Sequence, residues 1–192
     1  MRKNKEKPRD YYANDAVWKA VYGQAVPELK DAMDLAYLTG QRPADVLVMR
    51  RDDIDGEFLE VQQNKTHKKF RIMLTVDGVD NSLGHLIKQM AARNREHPSS
   101  YLIVSARGKR MSAAMLRNRW DEGRDKAKAE ALLASDKMMV ARITELQFRD
   151  IRPKAASEIK DVGDASLLLG HTKGDITERV YRPVGAIAKP SK

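Results

Sequence analysis

The segments FRDIRPKAAS, residues 148–157, and LLGHTKGDITERVYRP, residues 168–183, decide how this chain is interpreted. They place Arg149, Arg152, His171 and Tyr181 in one short order. Arginine offers a planar, permanently charged fork that matches phosphate oxygens, histidine can donate to a further oxygen, and tyrosine is a potential oxygen nucleophile. If these side chains converge, they can hold a phosphodiester and attack it without a metal.

Helical spacing dominates the rest of the chain. Pro27 and Pro43 suit the first positions of helices, Gly40 stops the helix between them, and Ser112 is a cap for a long charged helix. A further helix is predicted to open at Pro153, because a residue before proline disfavours the α region. The other predicted helices cover residues 15–23, 27–38, 43–48, 83–94, 112–133, 165–169 and 175–180.

Two short runs in the first half favour β-structure. Residues 58–61 and 70–74 predict a small antiparallel hairpin with Lys65 at its tip or at a strand end. Residues 101–104 predict a third short strand, whereas 138–143 are an unassigned connection. The predicted fold class is therefore mainly α with a small antiparallel β-sheet (α+β).

The composition fits one soluble domain. A length of 192 residues with 42% hydrophobic residues is enough for a real core. The sequence contains no cysteine, which excludes disulfides and thiolate metal sites and suits a cytoplasmic protein. No apolar run approaches the roughly 20 residues of a membrane helix. We expect a basic linker or arm at residues 1–10, one domain at 11–183 and a C-terminal tail at 184–192.

The charge balance points to a polyanionic partner. The formal net charge is +9, from 36 basic and 27 acidic residues, although a merely soluble basic protein could carry the same charge. Only 6% of residues are aromatic, which argues against binding single strands by base stacking and favours backbone contacts to duplex DNA. The predicted DNA contacts are Arg42, Lys65, Lys68, Lys69, Arg149, Arg152, Lys154 and Lys173.

Arg42 and Lys65 each have an ordinary explanation beside a functional one. Arg42 begins a predicted helix, where backbone N–H groups favour an anion, but a surface ion pair with Asp45 explains it equally well. Lys65 lies in a basic loop that a solvated hairpin tip also explains. An ammonium beside a scissile phosphate could, however, protonate a leaving oxygen.

Arg149 and Arg152 flank Ile151, which is expected to face the core. An arginine at a helix N-terminus is disfavoured by the helix dipole unless an anion compensates it, so Arg152 is favoured as a functional residue. Arg149 remains open between a surface and a substrate contact.

His171 and Tyr181 indicate a phosphate site only when they are considered together with the arginines. A lone histidine after an apolar run is more often a packed residue, and no carboxylate or second histidine stands at metal-ligand spacing, so no metal is expected. Ionising a tyrosine at pH 7 costs about 4 kcal/mol. Nearby guanidinium groups would lower that cost and stabilise the charge on a pentacoordinate phosphorus.

Taken together, these segments resemble the catalytic domain of the tyrosine recombinases, specifically the phage-type integrases. The resemblance covers residues 11–183. Its first box is LAYLTGQRPADVLVMRRDDI at 35–54, its lysine hairpin is NKTHKKFRIML at 64–74, and its second box is RDIRPKAAS at 149–157. LLGH supplies His171 and ERVYRP supplies Tyr181.

The resemblance implies site-specific DNA recombination without ATP, metal or any other cofactor. Tyr181 would attack the scissile phosphate and form a 3′-phosphotyrosine, and Lys65 would protonate the departing 5′ oxygen. Arg42, Arg152 and His171 would hold the non-bridging oxygens, with Arg149 as an auxiliary contact. A 5′-hydroxyl of a second strand would then displace the tyrosine.

The chain departs from the family pattern at three points. Arg149 stands where histidine is usual, so removal of the tyrosine proton cannot be assigned there. Asp45 stands where glutamate is commoner, which is a mild change. The spacing from His171 to Tyr181 is one residue longer than in many members.

The resemblance also implies what accompanies this domain. Family members carry an N-terminal core-binding domain, and this chain begins at what resembles the linker to it. We therefore expect an isolated catalytic portion that is monomeric alone, with a tetramer on DNA formed by the full-length protein.

Three other functions are alternatives to site-specific recombination. They are a non-catalytic DNA-binding regulator that keeps the basic cleft, a relaxing topoisomerase with the same chemistry, and a metal-dependent nuclease. The regulator rests only on Arg149 and the shifted tyrosine.

Overall fold

Helices form most of the chain in the computed structural model, which describes residues 11–159, 162–170, 186–188 and 190–191. The helices are α1 (Asp15–Gln24), α2 (Pro27–Thr39), α3 (Pro43–Val46), α4 (Ser82–Arg93), α5 (Ala113–Leu133), α6 (Lys137–Glu145), α7 (Ile151–Ser157) and α8 (Val162–Leu168). Short 3₁₀ turns lie at Arg51–Asp53 and at Phe148–Asp150, the second directly before α7. No helix within the described ranges is long and apolar enough to cross a membrane.

The helix boundaries follow local capping chemistry. Pro27 and Pro43 occupy the first turns of α2 and α3, where a missing N–H costs nothing. Gly40 ends α2 in the left-handed conformation, at φ 62°. Ser112 caps α5 by accepting a hydrogen bond from the Met115 N–H at 3.1 Å. These boundaries confirm the sequence predictions for the three helices.

A small sheet is packed beside the helices. Its strands are β1 (Ile54–Asp55), β2 (Phe58–Gln62), β3 (Lys69–Met73) and β6 (Ala186–Ala188), in the order β1-β2-β3-β6. The predicted antiparallel hairpin is confirmed, with Leu59 opposite Ile72 and both side chains fully buried. A separate hairpin joins β4 (Thr75–Val76) to β5 (Val79–Asp80).

The predicted C-terminal tail contributes to the domain itself. Within it, β6 pairs in parallel with β3, so the sheet is mixed, not purely antiparallel. Ser191 donates from its N–H to the Leu38 carbonyl at 3.2 Å and from its hydroxyl to the Tyr37 carbonyl at 2.9 Å. The described part of the tail therefore packs on its own domain.

The core lies where α2 meets its neighbours. Leu29, Met33 and Leu35 of α2 are fully buried, and α5 and α7 pack on this helix from other directions. Trp120 of α5 contacts Phe148 edge-on, with ring centroids 5.3 Å apart. This packing anchors the 3₁₀ turn that leads into Arg152.

Three local predictions were wrong. Residues 101–104 form no strand: Tyr101 and Val104 make single bridges to Arg50 and Arg110. The unassigned connection at 138–143 lies in α6. Helix α7 begins at Ile151, before Pro153, because the preceding 3₁₀ turn runs directly into it and the first turn of a helix needs no N–H donors.

Candidate active site

Arg152 is held by two backbone carbonyls from separate segments. One Nη donates to the carbonyl of Gly40, in the turn after α2, and the other donates to the carbonyl of Leu169, 2.7 Å away at the end of α8. Burial, together with the charge of Arg42, lowers the pKa of Arg152 to about 10, and Asp45 opposes this shift. The guanidinium therefore stays charged at neutral pH in a site that disfavours its charge.

Arg42 lies at the start of α3, two residues after Gly40, whose carbonyl accepts a hydrogen bond from Arg152. Its Nη1 is 3.9 Å from Oδ2 of Asp45, which is 2% exposed. Neither of these two atoms has a hydrogen-bond partner among the described residues. The charge of Asp45 thus acts on two guanidinium groups, of Arg42 and Arg152, and the site keeps excess positive charge that suits an anion. The predicted ion pair of Arg42 with Asp45 is thus present, whereas 30% of the Arg42 side chain is exposed and its phosphate contact stays a prediction.

The hairpin between β2 and β3 is tied to the same place. The backbone N–H of Asn64 donates to Oδ1 of Asp45 at 2.8 Å, and its side-chain amide donates to the Ala44 carbonyl at 3.2 Å. Lys65 is exposed in the turn that follows Asn64. The structure therefore brings the lysine turn, Arg42 and Arg152 to one side of the domain.

Two buried glutamines at this site were not predicted from the sequence. Gln41 and Gln63 are each 1% exposed and are hydrogen-bonded to one another at 2.8 Å. A signal for Gln63 does exist in the chain, because it continues the inward alternation of Leu59 and Val61. A polar residue in phase with a buried strand face indicates a partnered polar group, not a surface one.

The remaining predicted contacts fall in different environments. Arg149 and Lys69 are exposed and Lys68 is half-buried, as a surface contact requires. Lys154 is 2% exposed, and its ammonium pairs with Asp15 at 2.6 Å and Glu158 at 2.5 Å. This burial contradicts the predicted DNA contact of Lys154, because an ammonium enclosed by two carboxylates cannot reach a phosphate outside the domain.

Other predictions fall on chain that the structure does not describe. His171, Lys173 and Tyr181 lie outside the described residues, as do the linker at 1–10 and the helix expected at 175–180. The described chain ends at Gly170, directly before His171, and resumes at Ala186.

Comparison with known proteins gives a consistent set of similarities. A model of the phage integrase family matches residues 17–185. The integrase of Escherichia phage HK022 is 38% identical over 100 residues, which cover 50% of this chain and 26% of that protein. Prophage integrase IntE of Escherichia coli K12 is 28% identical over 176 residues, covering 85% of this chain and 44% of that protein. The chain thus spans less than half the length of either curated relative.

Solved structures show the same fold at low sequence identity. The lambda integrase catalytic core superposes with a TM-score of 0.66 at 21% identity, covering 84% of this chain and 96% of that one. A lambda integrase dimer bound to a COC′ core site gives a TM-score of 0.68 at 24% identity, covering 95% of this chain and 50% of that one. A lambda integrase tetramer bound to a Holliday junction gives 0.69 at 21% identity, covering 92% and 51%.

Proposed function

This chain belongs to the phage integrase family, and on that premise we propose that it cleaves and rejoins DNA through a tyrosine. The family match extends over nearly the whole domain, and the fold is that of the lambda integrase catalytic core. The proposed activity is site-specific recombination, in which the energy of the broken phosphodiester is kept in a bond to the protein.

One observation carries this proposal. Nη1 of Arg42 lies 3.9 Å from the buried carboxylate of Asp45. Burial and the charge of Arg42 lower the pKa of Arg152, and the charge of Asp45 opposes this shift. Such excess positive charge is unfavourable without an anion and favourable with one. A phosphate would offset the charge of both arginines and would accept a charge-assisted hydrogen bond from Nη1 of Arg42, which has no hydrogen-bond partner among the described residues. A phosphodiester on the surface of duplex DNA meets that need.

The proposed chemistry uses six side chains, one of them as an auxiliary. The Tyr181 phenol loses its proton to solvent water, and its oxygen forms a bond to the scissile phosphorus while the bond from phosphorus to the 5′ oxygen breaks. That leaving oxygen takes a proton from Lys65. Arg42, Arg152 and His171 hold the non-bridging oxygens and stabilise the added negative charge of the transition state, with Arg149 as an auxiliary. Rejoining is the reverse, with a 5′-hydroxyl as the attacking group.

The proposed partner is duplex DNA. Solved structures of lambda integrase include a dimer on a core site and a tetramer on a Holliday junction. By analogy we propose that this domain works as a tetramer on DNA in a protein that also carries a core-binding domain, and that the domain alone is a cytoplasmic monomer.

A covalent trap tests the proposal. The chain is incubated with nicked half-site duplexes of randomised sequence, from which the short 5′-hydroxyl fragment diffuses away after cleavage. We expect an adduct that survives denaturant and forms equally well in EDTA. Mass spectrometry of the digested adduct should place the nucleotide on Tyr181.

Tyrosine-to-phenylalanine variants provide the controls. Tyr181→Phe should abolish the adduct, whereas Tyr12→Phe, an exposed tyrosine near α1, should leave it unchanged. An adduct that survives Tyr181→Phe would mean that the nucleophile is another residue. Duplex binding with no adduct from the wild-type chain would instead favour the non-catalytic regulator.

A further inference from the structure

The buried glutamine pair joins three segments that are far apart in sequence. Gln41 follows the left-handed turn at the end of α2, Gln63 ends the inward face of β2, and both meet the C-terminal end of α8. Each is 1% exposed. Buried amides are stable only when their donors and acceptors are used, and here they are used across segments.

The glutamines supply hydrogen-bond donors to the end of α8. Gln63 Nε2 donates to the Leu169 carbonyl at 3.0 Å and to Gln41 Oε1 at 2.8 Å. Gln41 Nε2 donates to the Leu168 carbonyl at 2.8 Å. The last carbonyls of a helix lack partners within it, so these side chains complete the end of α8. The acceptors also fix the orientation of both amides, since only an NH₂ group can face a carbonyl.

The fit at this point is close. Gly170 has φ 65°, and a Cβ built on it would lie 2.8 Å from Gln63 Nε2. Only glycine therefore allows the amide to lie against the backbone there. Leu169 shares its carbonyl between Gln63 and Arg152, so the glutamine and the arginine are held to the same atom.

The opposite end of Gln63 holds the lysine turn. Gln63 Oε1 accepts a hydrogen bond from the Thr66 hydroxyl at 2.6 Å. The backbone of Gln63 accepts from the His67 N–H at 2.8 Å and donates to the Lys68 carbonyl at 2.9 Å. The turn that carries Lys65 is thus closed onto the residue that also holds the end of α8.

From these contacts we infer that Gln41 and Gln63 are positioning residues. They couple the Lys65 turn to the C-terminal end of α8, which directly precedes His171 in the sequence. Neither would touch DNA: Gln63 acts through Thr66 on the proton donor and through Leu169 on Arg152. The inference deepens the proposed function and depends on it for its catalytic meaning. A merely structural pair of glutamines would stabilise the domain without coupling the Lys65 turn to the end of α8.

Hydrogen exchange tests the coupling without any need for activity. The Gly170 N–H, bonded to the Leu167 carbonyl at 2.9 Å, reports on the end of α8, and the His67 N–H reports on the lysine turn. We expect Gln41→Met and Thr66→Val each to raise exchange at both amides, by about 2- to 30-fold. Gln62→Met is the matched control, because Gln62 is the exposed neighbour on the same strand.

The exchange experiment can overturn the inference directly. If Gln41→Met changes only the Gly170 amide and Thr66→Val changes only the His67 amide, the two ends are independent and the inference is wrong. The experiment does not use DNA, so it stands even if the wild-type chain forms no adduct. Absence of the wild-type adduct would count against the proposed function alone.

A modified substrate tests the catalytic side. Sulfur in place of the bridging 5′ oxygen makes a leaving group that needs no proton, because a thiol is far more acidic than an alcohol. We expect Thr66→Val to slow cleavage of ordinary DNA about 10-fold or more and to match wild type on the sulfur substrate. Gln41→Met should remain slow on both substrates. Equal losses on both substrates for Thr66→Val, in step with lost thermal stability, would mean a structural role only.

Discussion

At the scale of single residues, α2 carries two buried carboxylates, of Glu28 and Asp31, and a half-buried one, of Asp34. Glu28 pairs with Arg119 at 3.3 Å, Asp31 accepts a hydrogen bond from Arg93, and Asp34 accepts from the Tyr22 hydroxyl at 2.6 Å. Glu28 and Asp31 thus have cationic partners, whereas the group that donates to Asp34 is a neutral phenol. Burial therefore dominates there and raises the pKa of Asp34 to about 6.

Asp34→Asn should make the domain more stable at neutral pH. The folded pKa lies above the ordinary value near 4, so the stability contribution of Asp34 is fully present below about pH 4 and is lost as the pH rises through about 6. Asparagine stays neutral and still accepts from Tyr22. We expect a gain of about 1–3 kcal/mol at pH 7.5 and little change at pH 4, measured by urea unfolding. The control Asp52→Asn, at an exposed residue, should leave the free energy of unfolding unchanged at both pH values. An Asp34→Asn variant with the wild-type free energy of unfolding at pH 7.5 would contradict the prediction.

Lys154→Met separates a structural lysine from a DNA contact. The substitution leaves Glu158 half-buried without its cation, so we expect a loss of about 2–4 kcal/mol in unfolding free energy. The salt dependence of DNA binding should not change. The exposed Lys69→Met should behave in the opposite way, with stability within about 0.5 kcal/mol of wild type and a salt slope smaller by about 1. A reduced salt slope for Lys154→Met would restore it as a DNA contact.

At the scale of elements, α4 packs so closely against the chain after β3 that no side chain fits at Gly84. A Cβ there would fall on the carbonyl oxygen of Leu74, directly after β3. Asn81, which caps α4, holds the same region by donating from its amide to the Met73 carbonyl at 2.7 Å. The helix and strand are therefore fixed to each other by backbone contact.

Gly84→Ala should destabilise the domain although alanine is the better helix former. The clash with rigid backbone should cost about 1–3 kcal/mol, measured as unfolding free energy. Gly23→Ala in α1 is the matched control, because nothing lies within 4 Å of the Cβ position there. That substitution should stabilise by up to about 1 kcal/mol. Equal effects of the two substitutions would show that helix propensity, not contact with Leu74, decides the outcome.

Sequence patterns predicted the elements whose signals are local. Pro27, Gly40 and Ser112 mark helix ends by their own chemistry, so the boundaries there agree closely with the structure. Helix α6 was missed because MMVARI is a short apolar run, although Asp136 caps it by accepting from the Met139 N–H at 2.8 Å. The β4–β5 turn was also missed, although Asp77-Gly78 is a strong hairpin signal.

The candidate site was predicted in part, for a physical reason. Arg42 and Arg152 each stand at a predicted helix start, where a positive charge is unfavourable unless an anion compensates it, so a signal for both is present in the sequence. Gln41 and Gln63 have neutral amides that suit a surface as well as a core, and only the approach of Leu168 and Leu169 defines their partners. That approach is tertiary, and the only local signal is that Gln63 continues the inward alternation of Leu59 and Val61.

At the scale of the whole molecule, an excess of nine positive charges gives the chain an electrostatic field that attracts polyanions such as the proposed DNA partner. The exposed cations at the site are Lys65, Lys69 and Arg149, with Arg42 partly exposed beside them. Such contacts gain affinity mainly by releasing counterions.

Binding of the chain to duplex DNA should therefore be weak and strongly dependent on salt. Four to five neutralised phosphates imply a slope of about −4 in log Kobs against log salt. Fluorescence anisotropy titrations over a range of salt concentrations measure this slope, and sedimentation should find a monomer without DNA. Nanomolar binding that salt does not weaken would contradict the prediction.

The pairing of β6 with β3 has a consequence for solubility. Phe70 and Ile72 alternate inward along β3, so this strand without its neighbour would present unpaired N–H and carbonyl groups beside apolar side chains. Such an edge invites strand addition from other molecules and hence aggregation. Strand β6 thus covers the edge of β3, and deletion of residues 186–188 would expose that edge and favour aggregation.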